Sequence, residues 1–467
     1  MILYILIKEG SKNMRKYFGT DGIRRIANTE LSPELVYKVA KAGAYVLSKH
    51  TDHTPTILIG KDTRISGSLI ESAMVSGFLS YGANVKLLGV MPTPAVAYLT
   101  RKLKADASVV ISASHNTYEF NGIKFFSNKG TKISDELEEE IEEVMDSGKL
   151  DELTAVDDKI GVTEYALDLI DEYVYFFRKH FDDEIEKYIN ENFVVGLDTA
   201  NGATYDVAEK IFKSLGIKYM IINNSPDGIN INNGCGSTHL EGLKRFVADN
   251  KLSLGIAYDG DGDRCLAIDE NGEEIDGDKL LAIISSSLRK KGRLNKDTIV
   301  ATVMSNLGLN KYARDNGLEL IQTKVGDRYV LEDMLKNGYN LGGEQSGHVI
   351  LLDYNPTGDG ILTSVMLILA MLEENKKASE LADLVKLYPQ ILINAKVTTE
   401  KKYGYEDDKE IKEAIEKLEK EFAGNGRVLI RPSGTEPLVR VMIEGEKQEY
   451  ITKKAKEIAD LIEKNLS

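Results

Sequence analysis

The sequence predicts an α/β fold: three similar α/β domains with mainly parallel sheets, and a smaller C-terminal α+β domain, around a central cleft. The main observation is a repeat. An apolar strand, a polar loop, an amphipathic helix and a second strand follow one another three times in the chain. Alternating strands and helices are typical of parallel sheets with right-handed crossovers. Three copies of this pattern, in a chain of 467 residues, favour three similar domains over one large core.

The elements of each copy follow from apolar periodicity and from glycines at the helix ends. The first copy has strands at 56–60 and 85–88 and a helix that ends at Gly82. The second copy has strands at 193–197 and 219–222 and a helix that ends at Gly216. The third copy has strands at 298–303 and 320–322 and a helix that ends near Gly317. Two further helices are predicted at 33–49 and 134–145.

The C-terminal part follows another pattern. Its predicted strands lie at 391–398, 427–431 and 438–444, and its helices at 409–422 and 447–464. From these changes of pattern we place the four domains at 1–165, 166–266, 267–385 and 386–467.

Each of the three copies continues to a third strand that ends in a polar loop. These loops read SASHN at 112–116, DGDGDR at 259–264 and GGEQSGH at 342–348. Because open α/β sheets bind ligands at the carboxyl ends of their strands, we expect the three loops to line one site. The alternative is a generic α/β periodicity without homology among the three copies.

Composition and charge exclude several classes of protein. A hydrophobic content of 42% with 28% charged residues is typical of a soluble globular protein. The 74 acidic and 59 basic residues give a net charge of −15, which argues against a nucleic-acid partner. The apolar run at 1–7 is too short to span a membrane, and we expect 1–13 to be an extension or an added edge strand. Two cysteines, Cys235 and Cys265, fit a reducing cytoplasm.

Ser114 lies in the first of the three loops, just after a predicted buried strand at 107–111. An imidazole, His115, is next to it, and the ammonium of Lys124 follows ten residues later. This set suits a serine that accepts and returns a group, with Lys124 as proton shuttle or charge stabiliser. A plain polar turn is the alternative. A Ser-His-Asp hydrolase is disfavoured, because neighbouring side chains should diverge and the Gly-x-Ser-x-Gly elbow is missing.

The second loop places three carboxylates at alternate positions, on Asp259, Asp261 and Asp263. In extended backbone such side chains point the same way, so the three anions should meet and require a divalent cation. A small set of oxygen ligands favours Mg²⁺. A calcium-binding EF-hand, with Glu270 at position 12, is disfavoured because Arg264 stands where that loop needs glycine.

Together with the loop YFGTDGIRR at 17–25 and the loop RPSGTEPLVR at 431–440, these stretches resemble the α-D-phosphohexomutases. Enzymes of this family move a phosphate between C1 and C6 of a hexose. The resemblance extends from about Met14 to the C-terminus, with five loops in the family's order. It implies that Ser114 carries the phosphate, and that an oxygen of this phosphoserine joins the three aspartates around Mg²⁺.

The resemblance also implies roles for other residues. Lys124, His115 and Arg24 would belong to the catalytic set, with Lys124 assisting proton transfer. The residues implied in substrate binding are Arg264, Glu344, Ser346, His348, Arg431, Ser433, Gly434 and Thr435. Two positions depart from the family: Thr117 replaces a usual proline, which should loosen the turn, and Arg25 replaces a usual glycine.

The activity that the resemblance implies is a phosphosugar mutase acting through a 1,6-bisphosphate intermediate. Its partner would be a small phosphosugar in the cytoplasm, with no nucleic acid and no membrane, and the protein could form a homodimer. Gln345 favours the branch of the family that acts on hexosamine phosphates over the branch that acts on mannose or glucose phosphates. A Mg²⁺-dependent phosphatase and a non-catalytic sugar-phosphate binder are the alternatives from other classes.

Overall fold

The computed structural model describes residues 16–19, 21–399, 401–433 and 437–467. The chain divides into two compact units, Met1–Val303 with Ile321–Ala382 and Met304–Leu320 with Asp383–Ser467. The predictions for 1–13, Gly434 and Thr435 fall outside the described residues.

The first sheet has six strands: β1 (Ile23–Ile26), β2 (Thr56–Lys61), β3 (Asn84–Val90), β4 (Ala107–Ile111), β5 (Phe120–Ser127) and β6 (Thr163–Tyr165). Their order is β1-β5-β4-β2-β3-β6. The strand β2 runs parallel to β3 and β4, whereas β5 is antiparallel to β1 and β4. The helices are α1 (Pro33–Ser48), α2 (Gly67–Tyr81), α3 (Thr93–Leu103) and α4 (Asp135–Asp146).

Local signals explain where these helices begin and end. The Ser32 side chain accepts a hydrogen bond from the Leu35 N–H at the start of α1, and Pro33 follows it. The helix α2 ends at Gly82, whose φ of 103° lies in the left-handed region that glycine tolerates.

The second sheet has five strands, β7 (Val194–Asp198), β8 (Lys218–Ile222), β9 (Leu254–Tyr258), β10 (Cys265–Ile268) and β11 (Glu274–Ile275). The order is β11-β10-β9-β7-β8. Here β7 is parallel to β8 and β9, and β10 is antiparallel to β9 and β11. The associated helices are α5 (Ile170–Tyr188), α6 (Val207–Ser214) and α7 (Glu241–Asn250).

The third sheet has four strands, β12 (Thr298–Thr302), β13 (Glu319–Thr323), β14 (Leu341–Gly343) and β15 (Val349–Leu351), in the order β13-β12-β14-β15. The strand β12 is parallel to β14, and β14 is antiparallel to β15. The helices along this part of the chain are α8 (Gly277–Lys290), α9 (Leu307–Asp315), α10 (Asp327–Asn337), α11 (Gly360–Glu374) and α12 (Ala378–Ala382).

The C-terminal sheet is antiparallel, in the order β16-β18-β17, with β16 (Gln390–Lys396), β17 (Gly426–Pro432) and β18 (Leu438–Gly445). It is accompanied by α13 (Lys409–Phe422) and α14 (Gln448–Leu466), whose apolar side chains pack against it. The predicted α+β character of this region is confirmed.

The predicted three α/β repeats are also confirmed, with one addition that matters for function. In each repeat the polar loop after the third strand returns the chain as an antiparallel strand: β4 to β5, β9 to β10, and β14 to β15. The sheets are therefore mixed, and each of the three loops is a tight connection between two buried strands. Among the described residues, no helix is long and apolar enough to cross a membrane.

Candidate active site

Ser114 lies in the connection between β4 and β5 with a backbone φ of 51°. For a residue other than glycine, this left-handed conformation costs about 1–2 kcal/mol. The side chain is nearly buried, with 1% of the residue exposed. Its Oγ donates a hydrogen bond of 2.7 Å to Asp259 Oδ2. The structure thus brings the first and second polar loops together, as the sequence predicted.

The geometry of Ser114 corrects one expectation. We expected its side chain and that of His115 to diverge, but Ser114 Oγ lies 3.4 Å from His115 Nδ1. The left-handed backbone at Ser114 accompanies this approach. The same imidazole nitrogen lies 3.0 Å from Arg264 Nη1, so it is an acceptor for the guanidinium rather than a free base.

The three carboxylates of Asp259, Asp261 and Asp263 meet at one point, with ligand atoms within 4.8 Å of one another. The reason differs from our prediction. The residues lie in the tight connection between β9 and β10, where Gly262 has a φ of 72°, and not in extended backbone. This glycine allows the turn that gathers the three side chains.

The aspartate trio fits a magnesium ion. All three residues are buried, and Asp261 Oδ1 and Asp263 Oδ1 have no hydrogen-bond partner among the described residues. Buried carboxylate oxygens without partners are costly, and oxygen-only donor sets of this size suit Mg²⁺. Burial, together with the negative charges of Asp263 and Asp261, raises the pKa of Asp259 well above its ordinary value. A cation at this point would relieve that repulsion.

Lys124 extends from β5 into the same cluster and is 2% exposed. Its Nζ donates to Asp261 Oδ2 at 2.7 Å and lies 3.4 Å from oxygens of Asp263 and Asp21. Burial alone would lower the pKa of Lys124, but the carboxylates of Asp21, Asp261 and Asp263 outweigh it and hold that pKa well above the usual range. In this structure Lys124 is therefore held as an ammonium that can stabilise negative charge.

Arg24 and Arg264 provide two guanidinium groups beside Ser114. Arg24 donates to Asp21 Oδ2 at 2.9 Å and to the Asn116 side chain at 3.1 Å. The backbone N–H of Arg264 donates to Asp259 Oδ1 at 3.1 Å. Burial, and after it the positive charges of Arg264 and Arg24, lower the pKa of His115 to about 4. The imidazole is therefore neutral at neutral pH, between two cations that suit a phosphate ligand.

A charged network next to Lys124 was not predicted from the sequence. Lys132 forms ion pairs with Asp21 and, at 2.7 Å, with Asp327. The Asp327 carboxylate in turn lies 3.3 Å from His348 Nε2. Asp21 stands in the loop at 17–25 that the sequence had singled out, but Lys132 follows β5 without any motif around it. No local pattern could have shown that these residues meet.

The third polar loop reaches the site through this network. We expected Glu344, Ser346 and His348 to share one face, but the loop turns sharply, with the Gly347 N–H bonded to the Glu344 carbonyl at 3.0 Å. Ser346 is exposed and His348 is 2% exposed. The Glu344 carboxylate accepts a hydrogen bond from the Gly326 N–H at 3.2 Å. Its pKa is raised by burial and by the charge of Asp327.

The two departures from the family pattern leave the backbone intact. The Thr117 carbonyl accepts hydrogen bonds from the Phe120 N–H, at 3.2 Å, and from Arg64, so the turn is closed in this structure. Arg25 lies in β1, where it pairs with Asn121 in the sheet. That position does not need the conformational freedom of glycine.

In the second unit, Arg431 and Arg440 are register partners on β17 and β18. Burial and the charge of Arg440 lower the pKa of Arg431, and the Arg431 Nε has no hydrogen-bond partner among the described residues. Ser433 is buried, and its carbonyl accepts a 2.6 Å hydrogen bond from Lys402. Like charges in register favour an anionic ligand at this hairpin.

The fold and the site are those of a phosphosugar mutase. Residues 15–152, 171–272, 276–388 and 392–461 match, in order, domains I, II and III and the C-terminal domain of the phosphoglucomutase/phosphomannomutase family. The chain belongs to this family of isomerases, so the predicted family is confirmed.

Its curated relatives are more specific. The chain is 54% identical to a phosphoglucosamine mutase of Ruminiclostridium cellulolyticum, over 97% of this chain and 100% of that protein. It is 53% identical to a phosphoglucosamine mutase of Acetivibrio thermocellus, with the same coverage.

Solved structures share the fold at lower identity. A phosphoglucomutase/phosphomannomutase family protein from Burkholderia thailandensis has a TM-score of 0.77 at 21% identity, covering 95% of this chain and 96% of that chain. The N-acetylphosphoglucosamine mutase of Aspergillus fumigatus, in complex with GlcNAc-6P and magnesium, has a TM-score of 0.67 at 15% identity, covering 97% and 96%.

Proposed function

We propose that this chain is a phosphoglucosamine mutase, which interconverts glucosamine 6-phosphate and glucosamine 1-phosphate and so supplies UDP-N-acetylglucosamine synthesis. The observation that carries the proposal is the 2.7 Å hydrogen bond from the Ser114 hydroxyl to Asp259, within the aspartate trio. The names of the half-identical relatives support the choice of sugar.

The reaction we propose begins with phosphorylated Ser114. Its phosphoryl group passes to the free hydroxyl of the sugar phosphate, so that the bond from phosphorus to Ser114 Oγ breaks and a bond to the sugar oxygen forms. The sugar hydroxyl loses a proton and Ser114 Oγ gains one. The resulting 1,6-bisphosphate reorients in the site and returns its other phosphate to Ser114.

The residues of the site support this sequence of events. Lys124 Nζ lies among the carboxylates beside Ser114 and is protonated, so it can give a proton to the departing serine oxygen and recover one from the sugar hydroxyl. Arg24 and Arg264 would hold the transferring phosphoryl group, because guanidinium groups bind phosphate oxygens in pairs. Phosphoryl transfer depends mainly on such positioning and charge neutralisation.

Asp259, Asp261, Asp263 and an oxygen of phosphorylated Ser114 would hold Mg²⁺. When bound, the ion supplies positive charge that offsets the charge of the transferring phosphoryl group.

Sugar and phosphate contacts complete the proposal. Glu344, Ser346 and His348 would contact the sugar, and Arg431, Ser433, Gly434 and Thr435 would bind the phosphate that does not react. The paired arginines of the β17–β18 hairpin support the second role.

A phosphomannomutase or phosphoglucomutase is the second candidate, because the four matched domain families carry those names. Purified protein assayed on glucosamine, mannose and glucose 1-phosphates, with Mg²⁺ and a hexose 1,6-bisphosphate, decides between them. We expect the highest kcat/KM on glucosamine 1-phosphate; a preference for mannose or glucose would overturn the choice of sugar. Release of inorganic phosphate in stoichiometric amounts would instead identify a phosphatase, and binding without turnover a sugar-phosphate binder.

We also propose a cytoplasmic homodimer. Both cysteines are buried free thiols, as expected in a reducing compartment. The edge strand β6 carries exposed apolar side chains on and beside it, including Val162, Tyr165 and Leu167, and such an edge is a ready surface for self-association. Light scattering should give twice the chain mass, and Tyr165→Lys should give the monomer; a wild-type monomer would refute this assembly.

A further inference from the structure

We propose that Arg64, held by Asp62, is a positioning residue that fixes the backbone of Ser114 for phosphoryl transfer. The inference rests on the proposed function, because it concerns the serine that would carry the phosphate. Neither residue touches the aspartate trio, and neither belongs to the five loops that carry the family resemblance.

The first observation is the set of carbonyls that Arg64 contacts. Its Nη2 donates to the carbonyl oxygens of Ser114, at 3.0 Å, and Asn116, at 2.8 Å. Its Nη1 donates to the carbonyls of Phe120, at 3.1 Å, and Thr117. The side chain is fully buried. One guanidinium group therefore binds three carbonyls of the connection between β4 and β5 and the carbonyl of Phe120 at the start of β5.

The second observation links the same arginine to the other side of Ser114. Arg64 Nε donates to Asp62 Oδ2 at 2.8 Å, and this oxygen also accepts the Ser112 hydroxyl at 2.6 Å. The Ser112 Oγ in turn accepts the Ser114 N–H at 2.9 Å. Both backbone polar groups of Ser114 are thus connected, directly or through one hydroxyl, to the Asp62–Arg64 pair.

The backbone of Ser114 requires such support. Its φ of 51° lies in the left-handed region, and residues 112–121 contain no glycine. Strained backbone persists only where surrounding contacts determine it. One further contact comes from the loop after β8: Asn232 Nδ2 donates to the carbonyls of Ser114 and Asn116 at 2.8 and 2.9 Å.

The chemistry of arginine explains why this residue type is needed. Its planar group presents five N–H donors in a fixed fork, whereas a lysine ammonium presents three on a flexible stem. Arg64 uses this fork to bind one carboxylate and several carbonyls at once. A lysine could keep the ion pair with Asp62 but could not reach all the carbonyls.

The expected consequence is a selective loss of turnover. A displacement of about 1 Å at a reacting group can reduce the rate about 100-fold. Because the Arg64 side chain is fully buried and donates to Asp62 and to backbone carbonyls, substrate affinity should change little. We expect Arg64→Lys and Arg64→Ala to lower kcat about 100-fold with KM within about twofold.

The test measures kcat and KM for the wild type, both Arg64 variants and Ser112→Ala, which breaks only the link to the Ser114 N–H. Guanidinium ion at non-denaturing concentration should restore activity to Arg64→Ala, and methylammonium at equal concentration should not. Arg101→Ala is the matched control, because Arg101 also donates two hydrogen bonds to a loop, at Tyr354 and Asn355, away from Ser114.

Hydrogen exchange supplies a readout that does not depend on catalysis. In both Arg64 variants, amides of 112–122 should exchange faster while those of β4 keep their protection; in Arg101→Ala they should not change.

If the wild type lacks mutase activity, the proposed function fails while the exchange result still tests the positioning. If the wild type is active and the Arg64 variants keep its kcat, or if KM rises instead, the positioning role is overturned. An Arg64→Ala protein that does not fold leaves Ser112→Ala to decide: unchanged kcat and unchanged exchange there refute the proposal.

Discussion

The hydroxyl of Ser114 and the carboxylate of Asp259 are joined by a 2.7 Å hydrogen bond, although 145 positions separate them in the chain. One follows a strand of the first sheet and the other follows a strand of the second. Their contact places a nucleophilic oxygen against three carboxylates and the ammonium of Lys124.

Ser114→Ala should abolish turnover. Among the described residues of the first loop, Ser114 alone has a hydroxyl group that donates to the aspartate trio. Intact mass spectrometry should find wild-type protein about 80 Da heavier after incubation with a hexose 1,6-bisphosphate, the mass added by one phosphoryl group on serine. The variant should gain nothing and should still bind glucosamine 6-phosphate in calorimetry. Ser147→Ala, at the end of α4, serves as control. Normal turnover by Ser114→Ala would exclude it as the phosphate carrier.

Removal of the metal should stop the reaction, because the trio would then hold its repelling charges without a cation. We expect chelation by EDTA to abolish activity, and Mg²⁺ to restore it. Asp263→Asn should weaken Mg²⁺ binding in calorimetry by at least tenfold, since it removes one of the negative ligands. The exposed Asp52→Asn should bind Mg²⁺ as the wild type does. Full activity in excess EDTA would argue against the metal site.

The Lys132–Asp327 pair should contribute to stability in a pH-dependent way. Burial would raise the pKa of Asp327, but Lys132 and His348 outweigh it and lower that pKa to about 2. A carboxyl whose folded pKa lies below its ordinary value stabilises the fold above that value and loses the effect as pH falls toward the folded pKa.

Asp327→Asn should therefore destabilise the protein by about 3–5 kcal/mol at pH 7, the usual effect of breaking a buried ion pair. The difference from wild type in thermal midpoint should persist at pH 5 and shrink below about pH 4. Asp315→Asn, which removes an exposed carboxylate, is the control. A difference that grows as the pH falls below 4 would contradict the assignment.

Both thiols should be unreactive in the folded protein. Cys235 and Cys265 are buried, and burial, with the charge of Asp198 next, raises the pKa of Cys235 to about 12. At pH 8 the thiolate, which is the reactive form, is then scarce. Ellman's reagent should detect no thiol in native protein and two in urea. One thiol that reacts rapidly in the native state would disprove this prediction.

Several elements could be predicted closely from the sequence. The helix α13 was predicted at 409–422 and is observed at Lys409–Phe422, and β4 was predicted at 107–111 and is observed at Ala107–Ile111. Apolar periodicity is a local property, so it identifies such segments without knowledge of their partners. The domain boundaries, and the roles of the individual site residues, remain predictions.

The sequence by itself determined the repeat, the family and the reacting groups, because strands, helices and short polar motifs depend on residues that are neighbours in the chain. Only the tertiary structure decided that Lys132 joins Asp21 and Asp327, that Arg64 holds the loop around Ser114, and that Ser114 adopts a left-handed backbone. These features depend on side chains that are distant in the chain and become neighbours on folding. A buried charge is stable only beside its partners, and the identity of those partners leaves no periodic signal along the sequence.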